Sequence, residues 1–284
     1  METGYQKSNH IRRLIGLISW YIMLYGKVIY MNYKSRLKYH GKKEFFHTLG
    51  MFLSYGADIF VIWMSMGLFK SLGGFNFSEV MFLFSIELLA YSLTNSVVWF
   101  VSDTYNLIVR GTLDGFLTKP VNPFVLISAK YYEIGYLGQF AVSITLLYLS
   151  LKNLAITWGS FEWILYIVLL LNSTFIYIGF TTIPALLAFW WGNTEKLTSI
   201  FRWSFKQVIQ YPISIYPQPI RVILTVILPY ALINYYPSLV LLKKTKLLLS
   251  IWIVSLLLAV GFSLLLIIRI MWYKGLKAYE SSGG

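Results

Sequence analysis

The chain contains no cysteine, which excludes disulfide bonds and thiolate metal sites. Its three histidines all precede the first long apolar stretch. The sequence also lacks HExxH, GxSxG and GxxxxGK[ST] patterns, so a zinc-protease helix, a nucleophile elbow and a phosphate-binding loop of those types are excluded. We therefore expect no metal site, no cofactor and no catalytic residue in this chain, and hence a protein that is not itself an enzyme.

Charged residues are scarce as well. Only 12% of the 284 residues are charged and 57% are hydrophobic, which leaves too little polar surface to cover a soluble globule of this size. Apolar stretches long enough to cross a bilayer as helices occur at 48–69, 80–101, 124–151, 163–191 and 247–270. A sixth, irregular span is predicted within 198–242, where five prolines exclude one straight helix. The expected fold is an all-α integral membrane protein, one domain over residues 1–284 with six transmembrane helices.

The net charge of +13 predicts topology rather than nucleic-acid binding. Nine of the 24 Lys and Arg residues precede Gly50, which places the N-terminus in the cytoplasm. Counting spans from there puts 102–122, 192–206 and the C-terminus inside as well, with Arg202 and Lys206 among the supporting charges. Lys243, Lys244 and Lys246 fall outside in this count, against the inside-positive bias.

The N-terminal region 11–45 carries apolar residues at helical spacing and basic residues on both sides of its apolar part. Crossing the membrane would push one basic cluster outward, so we predict an amphipathic helix that lies in the inner interface. A seventh span is the alternative.

The connection at 102–123 contains the sequence RGTLDGFLTKPVNPF at 110–124. Ser102 and Asp103 can cap a helix over 104–117, and Pro120 ends it. The pattern predicts a short amphipathic peg at the inner membrane face that transmits force to a soluble partner. An ordinary helical connection between two spans is the alternative.

Two further features lie at membrane depth. Four acidic residues lie in or beside predicted spans: Asp58, Glu79, Glu87 and Glu133. We expect them either to line a path for a cationic or amphipathic substrate or to form hydrogen bonds between helices. Region 218–242 is predicted to form a broken, re-entrant hairpin that dips into the outer leaflet at Pro229, Asn234 and Pro237.

Two segments carry a family resemblance. The pattern GxLDxxLxKPxNP at 111–123, and PYALINYYP at 229–237, resemble signatures of ABC-2 family permeases, particularly the branch that includes viologen-type exporters. The resemblance implies a permease subunit of an ATP-driven exporter for multidrug efflux, in a bacterial cell membrane with both termini cytoplasmic. It implies as partners an ABC ATPase dimer that binds ATP and Mg, a second permease subunit, identical or paralogous, and membrane lipids.

The resemblance also implies that the peg is a coupling helix. Its expected contacts with the ATPase are Leu107, Arg110, Gly111, Leu113, Asp114, Phe116, Leu117, Lys119 and Pro120. The alternative function, from another class, is an ion- or proton-coupled secondary transporter that uses Asp58, Glu87 and Glu133 as relays.

Overall fold

The computed structural model describes residues 2–68 and 71–280, and within them the regular elements are helices. The α-helices are α1 Glu2–Leu68, α2 Phe77–Val98, α3 Thr104–Val109, α4 Asp114–Leu117, α5 Pro123–Lys130, α6 Tyr136–Asn153, α7 Ser160–Leu186, α8 Ala188–Trp191, α9 Glu195–Ser199, α10 Phe205–Ile209, α11 Gln218–Val222, α12 Tyr235–Leu241 and α13 Leu247–Ala278. Short 3₁₀ segments lie at Trp99–Asp103, Ile213–Ile215 and Tyr230–Leu232, and π-helical segments at Ile200–Ser204 and Ile223–Ile227.

Four helical stretches among the described residues are long and apolar enough to cross a membrane: Thr48–Ser65, Phe77–Val109, Ser160–Trp191 and Leu247–Ala278. A fifth is added if the bent pair Gln218–Ile227 and Tyr230–Leu241, whose halves meet at 74°, counts as one span. Over the described residues the structure thus confirms an all-helical fold with membrane-length helices. The count of six spans stays a prediction.

The predicted third span, 124–151, is not one continuous helix. It is divided into α5 and α6, and the backbone between them finds other hydrogen-bond partners. The Glu133 N–H donates to the Ser96 carbonyl at 3.2 Å, and the Gly135 N–H donates to Glu133 Oε1 at 3.3 Å. These bonds satisfy polar groups that a helical break would otherwise leave unpaired.

The predicted boundary between an interfacial helix and the first span is also absent. Helix α1 runs unbroken from Glu2 to Leu68, because no proline precedes Pro120 to interrupt it. Its N-terminal part packs on α5 and on the break after it. There the Tyr25 hydroxyl lies 2.9 Å from Ser128 Oγ, and Arg36 donates to Glu133 Oε2 at 2.9 Å. An interfacial position for 11–45 stays a prediction, but this region is not a separate helix.

Helix α2 forms the centre of the bundle. Almost every side chain from Val80 to Val98 is buried, and α2 packs against both α6 and α7. Helices α7 and α13 pack along a seam of small residues, where a Cβ added at Gly179 would lie 2.8 Å from Leu264 Cβ. Such close approach of two backbones is typical of helices that associate in membranes.

The bundle has two ends, about 33 Å apart if measured along the 22 residues of α2. We call the first the loop end: it comprises residues 103–122, 192–199 and 275–280, and Asn106 bonds to Glu195 there at 3.0 Å. We call the second the lysine end: it comprises residues 71–79, 155–162 and 243–246. There Lys244 pairs with Glu79 at 2.7 Å and Lys243 with Glu162 at 3.2 Å.

The segment between α9 and α13 begins at the loop end and reaches the lysine end at Ser214, whose hydroxyl donates to the Gly73 carbonyl at 2.7 Å. The bent pair starts there and returns to the lysine end at Lys244, which donates to the Gly74 carbonyl at 2.9 Å. At the bend, the Tyr230 hydroxyl donates to the Phe201 carbonyl at 2.7 Å. Both arms therefore open toward the same end of the bundle.

Candidate functional site

The connection at 103–122 folds as two short helices instead of the single helix predicted over 104–117. Helix α3 ends before Gly111, whose φ of +65° lies in the left-handed region that side chains disfavour. The chain then folds back, so that the Leu113 N–H donates to the Leu107 carbonyl at 3.1 Å. Gly111 thus produces a sharp turn that a continuous helix would not contain, and α4 follows it.

One face of this loop belongs to the protein's own core. Leu107, Leu113 and Phe116 are buried and pack in a cluster with Leu186 and Trp272. These three side chains were predicted to contact a partner, but in this conformation they face inward. Gly111 and Asp114 are half-buried, and the exposed members of the predicted set are Arg110, Leu117, Lys119 and Pro120.

Contacts from three directions hold the loop in place. Asn106 bonds to Glu195 of α9, and the Lys130 ammonium lies 4.9 Å from the centre of the Phe116 ring. Burial, with a further contribution from the Asp114 carboxylate, raises the pKa of the Tyr279 hydroxyl just beyond α13. The loop therefore lies where two short helices, α5 and α9, meet the ends of two long ones, α2 and α13.

A second candidate site lies inside the bundle, where Asp58, Glu87 and Lys206 converge from three segments and a fourth ionisable residue, Arg202, lies one helical turn before Lys206. Asp58 comes from α1 and Glu87 from α2, while Arg202 and Lys206 come from the π-helical segment and α10. Lys206 is 6% exposed, its ammonium lies 3.9 Å from Asp58 Oδ2, and it also faces the rings of Tyr55 at 4.6 Å and Tyr91 at 4.9 Å. Buried charges of both signs are thus brought together with aromatic faces, which stabilise cations.

Glu87 and the neighbouring Arg202 also have partners of their own. The Arg202 guanidinium lies 5.0 Å from the Trp99 ring centre and donates to the Val98 carbonyl at 3.5 Å. Glu87 is fully buried, and its Oε1 accepts from the Tyr177 hydroxyl at 3.3 Å. Lys206 is therefore the cation that acts on both acids, whereas Val98, which Arg202 contacts, is eleven residues of α2, about 16 Å of helix, from Glu87.

Sequence reasoning missed Arg202 and Lys206 because it assigned both to a cytoplasmic loop. The structure buries them, so they do not report on the side of the membrane at which 192–206 lies. The sequence did contain a pattern that favours their burial. The two cations are four residues apart, which places them on one helical face, and Phe201, Trp203 and Phe205 flank them.

The remaining predicted path residues lie elsewhere. Glu133 is paired with Arg36, and Glu79 is paired with Lys244 and also caps α2 through Asn76. The four predicted acids therefore do not share one lining, and only Asp58 and Glu87 belong to the same cluster.

The hairpin residues lie at the bend and its second arm. Pro229 stands between the two halves of the pair, and Pro237 is buried within α12. Asn234 is fully buried, and its amide donates to the Ile209 carbonyl at 2.6 Å, which ties the bend to α10.

Comparison with models of known protein families gives a match. A family model described as "ABC-2 family transporter protein" matches residues 52–283, a range that includes both candidate sites and the bent pair. No curated protein and no solved structure matches the chain.

Proposed function

Because the chain belongs to the ABC-2 transporter family, we propose that it is the permease subunit of an ATP-driven exporter, where it forms half of the translocation path. Permeases of this family generally work with an ABC ATPase. ATP and Mg would be bound and ATP hydrolysed in that separate subunit, an ATPase dimer, and this chain would have no catalytic role. The family resemblance seen in the sequence is confirmed, while the viologen-exporter branch and multidrug efflux stay part of the proposal.

The observation that carries this proposal is the two-sided loop at the loop end. Its inner face packs in the core beside α13, and its outer face presents Arg110, Leu117, Lys119 and Pro120. An exposed apolar side chain among basic groups, on a rigid support, suits contact with another protein. Movement of the ATPase would then be transmitted to α2 and α5, between which the loop is inserted.

A second permease subunit, identical or paralogous, is proposed to complete the path. In the Thr48–Ser65 stretch of α1 only 11% of residues are buried, compared with 89% in an 18-residue apolar stretch within Phe77–Val109. The exposed side chains of Thr48–Ser65 are largely apolar and include Phe52, Phe60 and Trp63, so membrane lipids and a second subunit both suit this surface. Asp58 lies on α1 with a partly exposed side chain, which would place the buried charge cluster beside the path.

The proposed topology has six crossings and one re-entrant hairpin, in a bacterial cell membrane with both termini in the cytoplasm. It is supported by the contacts at the two ends, since 195–214 joins the loop end to the lysine end and the bent pair begins and ends at the lysine end. Lys243 and Lys244 would then lie outside despite their charge, where Glu162 and Glu79 compensate them.

This topology is tested by single cysteines in the cysteine-free chain. We expect Lys246→Cys and Thr157→Cys to react with a membrane-impermeant thiol reagent in intact cells, and Lys119→Cys to react only after the membrane is opened. All three positions are exposed, and Lys246 is preferred to Lys244, whose ammonium pairs with Glu79. If position 157 reacts in intact cells and position 246 does not, the hairpin is rejected.

The secondary-transporter alternative has less support. A relay of Asp58, Glu87 and Glu133 needs the three carboxyls within reach of one another, yet Glu133 is held by Arg36 and its N–H bonds to Ser96. Nine residues of α2, about 13 Å of helix, separate Ser96 from Glu87.

The exporter proposal is tested by purifying the tagged chain from its native host in mild detergent. We expect an ABC ATPase to accompany it in stoichiometric amount, with ATP hydrolysis that depends on Mg. A chain that purifies folded and without any ATPase, under conditions that keep other permease complexes intact, would contradict the proposal.

A further inference from the structure

A half-enclosed cavity of about 480 Å³ opens on the flank of the bundle at the lysine end. The first turns of α7 and α13 form its walls, and Val240 and Leu241 of α12 line it as well. The polar side chains of α13 form local hydrogen bonds. Ser250 Oγ lies 2.6 Å from Thr245 Oγ1, and the Ser255 hydroxyl donates to the Ile251 carbonyl at 2.9 Å. The cavity therefore offers an apolar interior with a volume typical of small-molecule sites.

An ion pair lies at the mouth of this cavity. Glu162 and Lys243 both line it, with Oε1 and Nζ 3.2 Å apart. Glu162 is fixed in direction, because its other carboxylate oxygen accepts from the Gly159 N–H at 3.1 Å and so caps α7. A negative and a positive group thus stand side by side above an apolar space.

The backbone at Lys243 is held in an unfavourable conformation. Its φ is +54°, and it stands where helix α12 ends in a Schellman arrangement: the Lys243 N–H donates to the Val240 carbonyl at 3.1 Å and the Lys244 N–H to the Leu239 carbonyl at 2.9 Å. Glycine is the usual residue at this position because it has no Cβ to clash. A lysine there sacrifices some stability, and the side chain it supplies is the one at the cavity mouth.

We propose that this cavity binds a phospholipid with an ethanolamine headgroup, whose phosphate contacts Lys243, whose ammonium contacts Glu162 and one of whose acyl chains enters the apolar interior. The pair of opposite charges selects the headgroup. A headgroup without an ammonium would leave the Glu162 carboxylate opposite a phosphate, and a choline headgroup has no N–H to donate to it. This site lies on the flank of the bundle, apart from the loop and the buried charge cluster, and does not depend on the exporter proposal.

The test measures lipid retention by native mass spectrometry of the purified chain, after exchange into phosphatidylethanolamine, phosphatidylcholine or phosphatidylglycerol. We expect the wild type to retain one phosphatidylethanolamine in clear preference to the other two. Lys243→Gln and Glu162→Gln should each weaken this retention about tenfold, as expected for the loss of a hydrogen bond to a charged group. Lys246→Gln, the matched control beside the site, should leave it unchanged.

A second variant separates lipid binding from folding. Lys243→Gly removes the ammonium and also relieves the backbone conformation, so it should raise the Tm in lipid-free detergent while abolishing the extra stabilisation by phosphatidylethanolamine. Ser255→Phe should fill the cavity and lower retention of every lipid. Equal retention of the three lipids by the wild type, or unchanged retention in Lys243→Gln and Lys243→Gly, would overturn the proposal.

Discussion

Replacing Lys206 with methionine is expected to lower the free energy of unfolding by about 3 kcal/mol, because it removes one partner from a buried group of charges. The Lys206 ammonium acts electrostatically on both Asp58 and Glu87. Glu87 is the more vulnerable of the two acids, since it is fully buried and, within the described part of the chain, its Oε2 has no hydrogen-bond partner. Without Lys206, that carboxylate would have to remain ionised in an apolar region or take up a proton.

The loss should be partly reversed in the double variant Lys206→Met with Glu87→Gln, which restores the net charge of the wild type while keeping the Tyr177 contact. Denaturant titration in detergent measures the free energy of unfolding of the wild type, the single variant and the double variant. Lys196→Met, at an exposed position in α9, is the matched control and should stay within about 0.5 kcal/mol of the wild type. If Lys206→Met is as stable as the control, or if Glu87→Gln adds a second loss instead of a recovery, the charges do not act as one unit.

Replacing Leu117 with glutamate is expected to weaken association with the partner ATPase about tenfold and to reduce coupled ATP hydrolysis, with little change in the Tm of the permease alone. Leu117 is 38% exposed on the outer face of α4, so a carboxylate there stays hydrated in the isolated chain but is buried on docking. Co-purification and ATPase assays of the reconstituted complex measure the effect.

Leu113→Glu is the contrasting variant on the same loop. Leu113 is 2% exposed, so a charge at that position should destabilise the permease itself before any partner binds. Wild-type coupling in Leu117→Glu would remove the loop from the proposed interface, whereas wild-type Tm in Leu113→Glu would contradict the inward orientation of that side chain.

The comparison of Leu113 with Leu117 shows what the sequence could and could not predict about the loop. The sequence showed that the loop lies between two long apolar stretches, that Pro120 ends its helical part and that its pattern resembles a known family. The sequence did not distinguish the partner-facing residues from the core-facing ones, because a helix over 104–117 would have placed them differently from the two helices that Gly111 separates. A single left-handed residue changed which side chains face outward.

By itself the sequence determined that the chain lies in a membrane, that it is helical and where a straight helix is interrupted. Apolar stretches of membrane length and scarce charge leave no soluble alternative, and five prolines forbid a regular helix in 198–242. These are local properties, which depend only on composition and on the spacing of residues along the chain.

The tertiary structure alone decided the pairing of charges. It placed the buried Lys206 beside Asp58 and Glu87, joined Arg36 to Glu133, and brought Lys243 and Lys244 to the glutamates of α7 and α2. The paired residues are 81 to 165 positions apart in the sequence. Helical periodicity fixes the face on which a side chain lies only relative to its own helix, so the partner of a buried charge emerges only when the helices pack.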